Sequence, residues 1–275
     1  MFPDIQNPGS ALGEAIGADM ENALNVYLTT LVEEHGYHFI TESPIPGKKK
    51  LLLHDSFGNL HNIDSVIANE QMQPIILLES KYIRYKKHNR DKASWLCTAH
   101  PAVRRRYASI RSSIAVLAGN WSLSSLAMLK SNEVNVFLIP FSLTCDLLRD
   151  FGIDFNWGEK ERDKAVAAWK KYSALTDSEK ATVGTAMIEP IKPDLRKLVL
   201  SILDDTADRK ISEVVILLHS NLGEVKEYRF GSIREAVDFL NASELEGVFI
   251  TTDSLTLFDP APTFDDEGDE EFETE

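Results

Sequence analysis

The chain has 275 residues, 43% of them hydrophobic and 26% charged, with a formal net charge of −14. That composition is globular: it excludes a collagen-like or largely disordered chain and leaves room for one large domain or two small ones. Two cysteines, Cys97 and Cys145, are too few for a disulfide framework, and without a CxxC partner neither suggests zinc or thiol-redox chemistry.

No apolar segment approaches the roughly 20 residues that span a bilayer. The first residues lack the basic and then apolar regions of a signal peptide. The expectation is a cytoplasmic protein with no membrane partner. The charge is unevenly spread. Asp259 to Glu275 carries nine acids and no bases, and without that stretch the balance is −5. Lys81 to Arg111 holds ten Lys or Arg against one acid, Asp91. Such a patch within an acidic chain suits a polyanion; its bland alternative is a solvated helix face.

In chain order, Leu12, Ile16, Met20, Leu24, Leu28 and Leu31 recur at three- and four-residue steps and predict an amphipathic helix that stops at Gly36. Glu21 falls about 20° from that stripe, so its carboxylate borders the core or points into a site. Strand-like pieces at 37–42, 50–55, 60–68 and 75–83, joined by short turns, predict an antiparallel meander. Ile75-Ile76-Leu77-Leu78 is apolar on both faces, as in a central strand covered on both sides. Residues 101–108 predict a helix with Pro101 near its first turn. A strand at 113–119, a short helix capped by Ser122 and a strand at 134–141 make a βαβ unit, so the second half of the sheet is expected to be parallel. Helical stretches follow at 159–174 and 177–203, the second broken near Pro190 and Pro193. A hairpin turning at Asn221-Leu222-Gly223 and one more helix come next. The expected division is a core at 1–145, a helical and β-hairpin accessory region at 146–258, and a disordered acidic tail at 259–275.

The apolar run at 75–78 leads directly into Glu79-Ser80-Lys81. Strand alternation puts Glu79 and Lys81 on one face. If the segment around Asp64 pairs alongside, Asp64 and Glu79 converge. Two close carboxylates repel unless a cation lies between them. A hard divalent ion, Mg²⁺ with Mn²⁺ substituting, takes carboxylate and carbonyl oxygens plus waters, and the Ser80 carbonyl is a natural further ligand. Lys81 would then position or help deprotonate an attacking water.

Asp64 and the Glu79-Ser80-Lys81 triplet, on consecutive strands, resemble the PD-(D/E)XK superfamily of restriction-endonuclease-like nucleases. The first helix with Glu21, and a later helix with Arg104, Arg105 and Arg106, fit the same frame. The resemblance covers roughly residues 12–141. It implies an α/β fold with an α-β-β-β-α-β core: a mixed central sheet flanked by helices, here with a C-terminal α+β extension. It also implies Mg²⁺-dependent phosphodiester hydrolysis of DNA in a restriction or phage-defence setting. Asp64, Glu79 and Lys81 would be catalytic, Asp64 and Glu79 metal ligands, and Glu21 an outer ligand. Ile63 stands where the family often has proline. A second such triplet, Glu224-Val225-Lys226, follows a hairpin turn with no buried run ahead of it and no cations behind, so it is set aside.

Arg84, Lys86, Lys87, Arg90, Lys92, Arg104, Arg105 and Arg106 are the expected nucleic-acid contacts, with Tyr82 and Tyr85 interleaved. His88 and His100 read equally as phosphate contacts or surface. His61, on the opposite strand face from Asp64, reads as structural, and Trp95 and Trp121 read as core. No Gly-rich phosphate loop is present, so no nucleotide cofactor is expected. Two other readings compete. One is a non-cleaving nucleic-acid-binding module. The other is a regulatory subunit docking a helicase or methyltransferase through 142–258. Double-strand cutting would favour a homodimer.

Overall fold

The stripe in the first helix lies on a buried face. In the computed structural model, which describes residues 7–43, 49–85, 89–158, 160–242, 245–249, 256 and 258–259, α1 spans Pro8–Glu33. Leu12, Ile16, Met20, Leu24, Leu28 and Leu31 are all buried along it. The helix starts ahead of the stripe because Asn7 caps it, accepting a hydrogen bond from the Ser10 amide at 3.1 Å. The chain turns out of it through Gly36, at φ +78°.

The strands of the first unit are β1 (His38–Ile40), β2 (Leu52–His54), β3 (Leu60–Asn62), β4 (Ser65–Ala68), β5 (Pro74–Ile83), β6 (Ser112–Gly119) and β7 (Val134–Pro140). Five of them make the central sheet, in the order β1-β4-β5-β6-β7. β1, β4 and β5 pair antiparallel, and β5, β6 and β7 pair parallel. The protein is therefore α/β, with a mixed central sheet flanked by helices.

The predicted strand at 60–68 is two strands. β3 pairs with β2 in a separate hairpin, and β4 joins the central sheet. The break falls at Ile63 and Asp64, where the Ile63 amide bonds the Leu51 carbonyl and the Asp64 side chain turns to β5. Asp55 ties the small hairpin together. It accepts from the amides of Phe57 and Asn59 and pairs with His61 at 3.1 Å, and these bonds, the Asn59 side chain foremost, hold its carboxyl far below the usual range.

The remaining helices of this unit are α2 (Asn89–Arg106), α3 (Leu123–Ser131), α4 (Phe141–Asp150), α5 (Arg162–Ser173), α6 (Asp177–Ile188) and α7 (Lys192–Leu203). Alternation along β5 sorts its side chains between two layers. Ile76, Leu78 and Tyr82 pack in the largest core, with residues of α1 and α4 to α7. Leu77 and Ile83 lie on the other face, with α2 and α3. A Cβ at Gly17 would stand 2.9 Å from the Tyr82 Cβ, so glycine there lets α1 lie directly on β5.

α2 corrects the sequence reading. It begins at Asn89, well before Pro101, which sits inside it. Ala93, Leu96, Ala99, His100 and Val103 are its buried face, at helical spacing, with cations between them. Interior proline costs about 3 kcal/mol of helix stability, so Pro101 mimicked a start signal that packing of this face overrides.

The domain division also moves. Residues up to Asp205 form one compact unit and those from Thr206 a second. The expected boundary after 145 does not hold, because α5, α6 and α7 contribute Tyr172, Met187, Leu195 and Val199 to the sheet's own core. The second unit is a hairpin of β8 (Val214–His219) and β9 (Val225–Phe230) with α8 (Ile233–Ala242). Its turn uses Gly223 at φ +94°, and Phe239 packs on Tyr228 and Phe230. Lys86, Lys87, His88 and most of the acidic tail lie outside the described residues. Among the described residues no helix is long and apolar enough to cross a membrane.

Candidate active site

β5 outruns its antiparallel neighbour. β4 reaches only as far as the Ser65–Leu78 pairing, whereas β6 runs beside β5 from Ile76 to Ile83. From Glu79 onward β5 has one edge free of strand, and Asp64 closes it. The Ser80 amide donates to Asp64 Oδ2 at 3.0 Å, and the Asp64 amide donates to Glu79 Oε1 at 3.2 Å. In an extended strand the N–H and C=O of one residue point to the same edge. The Ser80 carbonyl therefore also faces this edge, outside the ladder with β6.

Lys81 Nζ sits between the two carboxylates, 2.5 Å from Asp64 Oδ2 and 2.7 Å from Glu79 Oε2. The expected convergence of Asp64, Glu79 and Lys81 is thus present, with the ammonium neutralising both acids. Glu79 has no exposed surface, and its Oε2 makes no hydrogen bond in addition to that ion pair. Behind it lies His100 of α2, also fully buried, with Nε2 3.6 Å from Glu79 Oε1 and neither ring nitrogen hydrogen-bonded. That distance allows charge attraction and exceeds a hydrogen bond.

Environment separates the acids. Burial, with Glu79 adding to it, pushes Asp64 up to about 6 against the pull of Lys81. Burial also pushes Glu79 upward, but His100 and Lys81 outweigh it and hold the carboxyl below its usual range. Burial works to lower Lys81, and the two carboxylates overcome it, so the ammonium is held more firmly than usual. A pair of acids driven apart in this way is a frequent property of functional sites.

Two clefts meet at Lys81. One, of about 580 Å³, is lined by Asn62, Asp64, Lys81, Asp91, Lys92 and Trp95. The other, of about 440 Å³, runs between α1 and the end of β5, where Glu21, Ser80, Lys81 and Lys92 share its lining. Glu21 is half-buried there. Burial raises its carboxyl despite Lys81, and Glu79 adds to the rise. The boundary position of Glu21 on the α1 stripe therefore places it beside the site.

No family model matches the chain, and no curated protein does. A crystal structure of the protein of unknown function AF1548 aligns with 68% of this chain and 98% of that one, at 11% identity and a TM-score of 0.31. A likeness that low carries no argument about fold or function.

The basic residues divide. Lys92 is exposed and lines both clefts, and Arg90 is exposed at the start of α2. Arg84 is not a surface contact: it is buried, donates to the carbonyls of Phe155 and Trp157 at 2.7 Å each, and lies over the Trp157 ring. Alternation put it on the face opposite Lys81, inside the large core. Arg104 and Arg106 are also placed elsewhere. α2 runs back along β5, bringing His100 to Glu79 and Val103 to Leu77. At 1.5 Å per residue, Arg104 is about 18 Å from Lys92 along the axis. It pairs with Glu133 at 3.3 Å and lines a different cleft with Arg111 and Lys130, while Arg106 donates to the Asp55 carbonyl and Arg105 is exposed.

Two site residues escaped the sequence reading. His100 falls seven residues after Ala93, on the apolar face of α2. Starting the helix at Asn89 would have revealed it as a buried histidine. Trp95, expected in the core, is 38% exposed and lines the cleft with Asp64. Trp121 is buried, as expected.

Among the described residues no three of His, Cys, Asp or Glu are grouped to hold a metal. Asp64, Glu79 and the Ser80 carbonyl instead offer an all-oxygen set, the donor type of Mg²⁺ or Mn²⁺, which keep several waters. Glu79 Oε2, buried and held by the Lys81 ammonium at 2.7 Å, is an anionic oxygen already paired with a cation.

Proposed function

We propose that this chain is a metal-dependent nuclease that hydrolyses phosphodiester bonds in DNA, with Asp64, Glu79 and Lys81 as its catalytic residues. The observation that carries the reading is the convergence of two carboxylates and an ammonium on the free edge of a buried strand. The order α1-β1-β4-β5-α2-β6 supports a restriction-endonuclease-like core, with Asp64 immediately before β4 and the triplet on β5. A restriction or phage-defence role, alone as a dimer or beside a helicase or methyltransferase, extends the same resemblance.

In this reading Asp64, Glu79 and the Ser80 carbonyl would hold Mg²⁺, with Glu21 as an outer ligand. The cation supplies charge neutralisation at the phosphate and a more acidic water. The rest falls to the chain. Glu79, fixed by burial and His100, sets the position of the set. Asp64 is held beside it by its own amide, which donates to Glu79 Oε1 at 3.2 Å. Lys81 Nζ, released from the carboxylates, donates to a phosphate oxygen or to the attacking water. Water would attack phosphorus and release its proton to solvent, the P–O bond opposite would break, and the departing oxygen would take a proton from solvent. Lys92 holds the neighbouring phosphate.

The same ion pairs favour one other reading. With both acids neutralised by Lys81, a module could hold nucleic acid without cutting it. A cleavage assay with Mg²⁺ on supercoiled, linear and single-stranded DNA and on RNA separates the two. Cutting of DNA that disappears with a chelator and in Lys81→Ala supports the nuclease. Tight binding with no cutting under any divalent ion overturns it.

A further inference from the structure

We infer that the cleft beside Asp64 takes an unpaired nucleotide of a DNA strand, its base stacked on Trp95, so that the substrate is single-stranded DNA or a frayed end in preference to intact duplex. The inference rests on the nuclease reading for what happens at Asp64 but stands on its own geometry for binding. Trp95 is the exposed tryptophan among four: Trp121 and Trp157 are buried and Trp169 is half-buried. The Trp95 ring is 38% exposed and forms part of the cleft wall, so a flat apolar face with a polar edge is open to a ligand there.

What shares the cleft says what that is. Asn62 has an amide with donors and an acceptor, suited to a base edge. Lys92, one helical turn from Trp95, supplies a cation for the strand's backbone, with Asp91 beside it in the same lining. Asp64 and Lys81 close the far side, which puts the stacked base next to the phosphate to be cut. The volume, about 580 Å³, lies within the roughly 300–1,000 Å³ range of pockets for small ligands. Bases in a duplex present their faces to one another, so a ring such as Trp95 is reached by an unpaired base.

The test uses the full chain in EDTA, where no cutting interferes, and reads tryptophan fluorescence. A mixed-sequence single strand is titrated against its blunt duplex. The expected result is quenching by the single strand, with affinity at least about tenfold above the duplex. Trp95→Ala should abolish the quench and weaken single-strand binding by roughly five- to a hundredfold, the loss of one stacked base. Trp95→Phe should retain most of the affinity while losing the quench. Equal binding of duplex and single strand, or undiminished affinity in Trp95→Ala, overturns the inference. The outcomes also separate from the nuclease reading. Quenching without Mg²⁺-dependent cutting keeps the nucleotide cleft and removes the nuclease. Cutting lost in Lys81→Ala but indifferent to Trp95 does the reverse.

Discussion

The chain contains the same three-residue pattern twice, at Glu79-Ser80-Lys81 and at Glu224-Val225-Lys226, and the two could hardly be used more differently. Glu79 is fully buried at the free edge of a central strand, with Lys81 bridging it to Asp64 and His100 behind it. Glu224 is exposed at a hairpin turn, where its carboxylate accepts from the Ser220 hydroxyl at 2.8 Å. Lys226 reaches the Val248 carbonyl. Both glutamates are satisfied, but by different means. In the turn a neighbouring hydroxyl and water suffice. In the buried strand the charge needs counter-charges, and in the proposed nuclease a metal ion would take over that role from the lysine.

In the proposed nuclease the difference is sharpest in catalysis. Asp64→Ala, Glu79→Ala and Lys81→Ala should each lower Mg²⁺-dependent cleavage by about 10²–10³ or more, measured as initial rate on plasmid DNA. Glu224→Ala and Lys226→Ala should leave the rate unchanged. Next in size is the division among the cations near the first triplet. Arg84→Ala removes two buried hydrogen bonds and a stacked guanidinium, and urea unfolding should show a loss of about 2–4 kcal/mol. Lys92→Ala should stay within about 0.5 kcal/mol of the parent. It should instead weaken DNA binding across sequences and reduce the slope of log affinity against log salt by about 1, while Arg104→Ala leaves that slope unchanged.

A further effect concerns pH. The Asp64 carboxyl is raised from the usual 3.8 to about 6, so the folded state binds its proton more tightly than the unfolded state does. The stability this contributes is full below about pH 4 and is lost as pH rises through about 6. In metal-free buffer the stability of Asp64→Asn relative to the parent should therefore rise across that window and then level off. A difference that is flat with pH would contradict the burial of Asp64 beside Glu79.

The sequence carried the α1 stripe, the buried β5 run and the meeting of Asp64 with Glu79 and Lys81, because each rests on local periodicity or on neighbouring strands. It was silent where the outcome depends on non-local packing. Pro101 hid the true start of α2, and with it the burial of His100 and the exposure of Trp95. The charge count treated Lys81 to Arg111 as one patch. Strand alternation sends Arg84 inward, and the length of α2 carries Arg104 away, so Lys92 is the exposed cation that lines both clefts with Lys81. The helices at 162–203 read equally as an appendage or as layers added to the same core, because nothing local shows that Tyr172 and Met187 complete the core over the sheet.

The central claim is that the buried triplet, and not its exposed twin, holds a divalent cation. Calorimetric titration of Mn²⁺ into the parent, Glu79→Gln and Glu224→Gln tests it directly. The account predicts a binding isotherm for the parent and for Glu224→Gln, and its loss in Glu79→Gln. Equal binding by all three, or no binding by the parent, would contradict it.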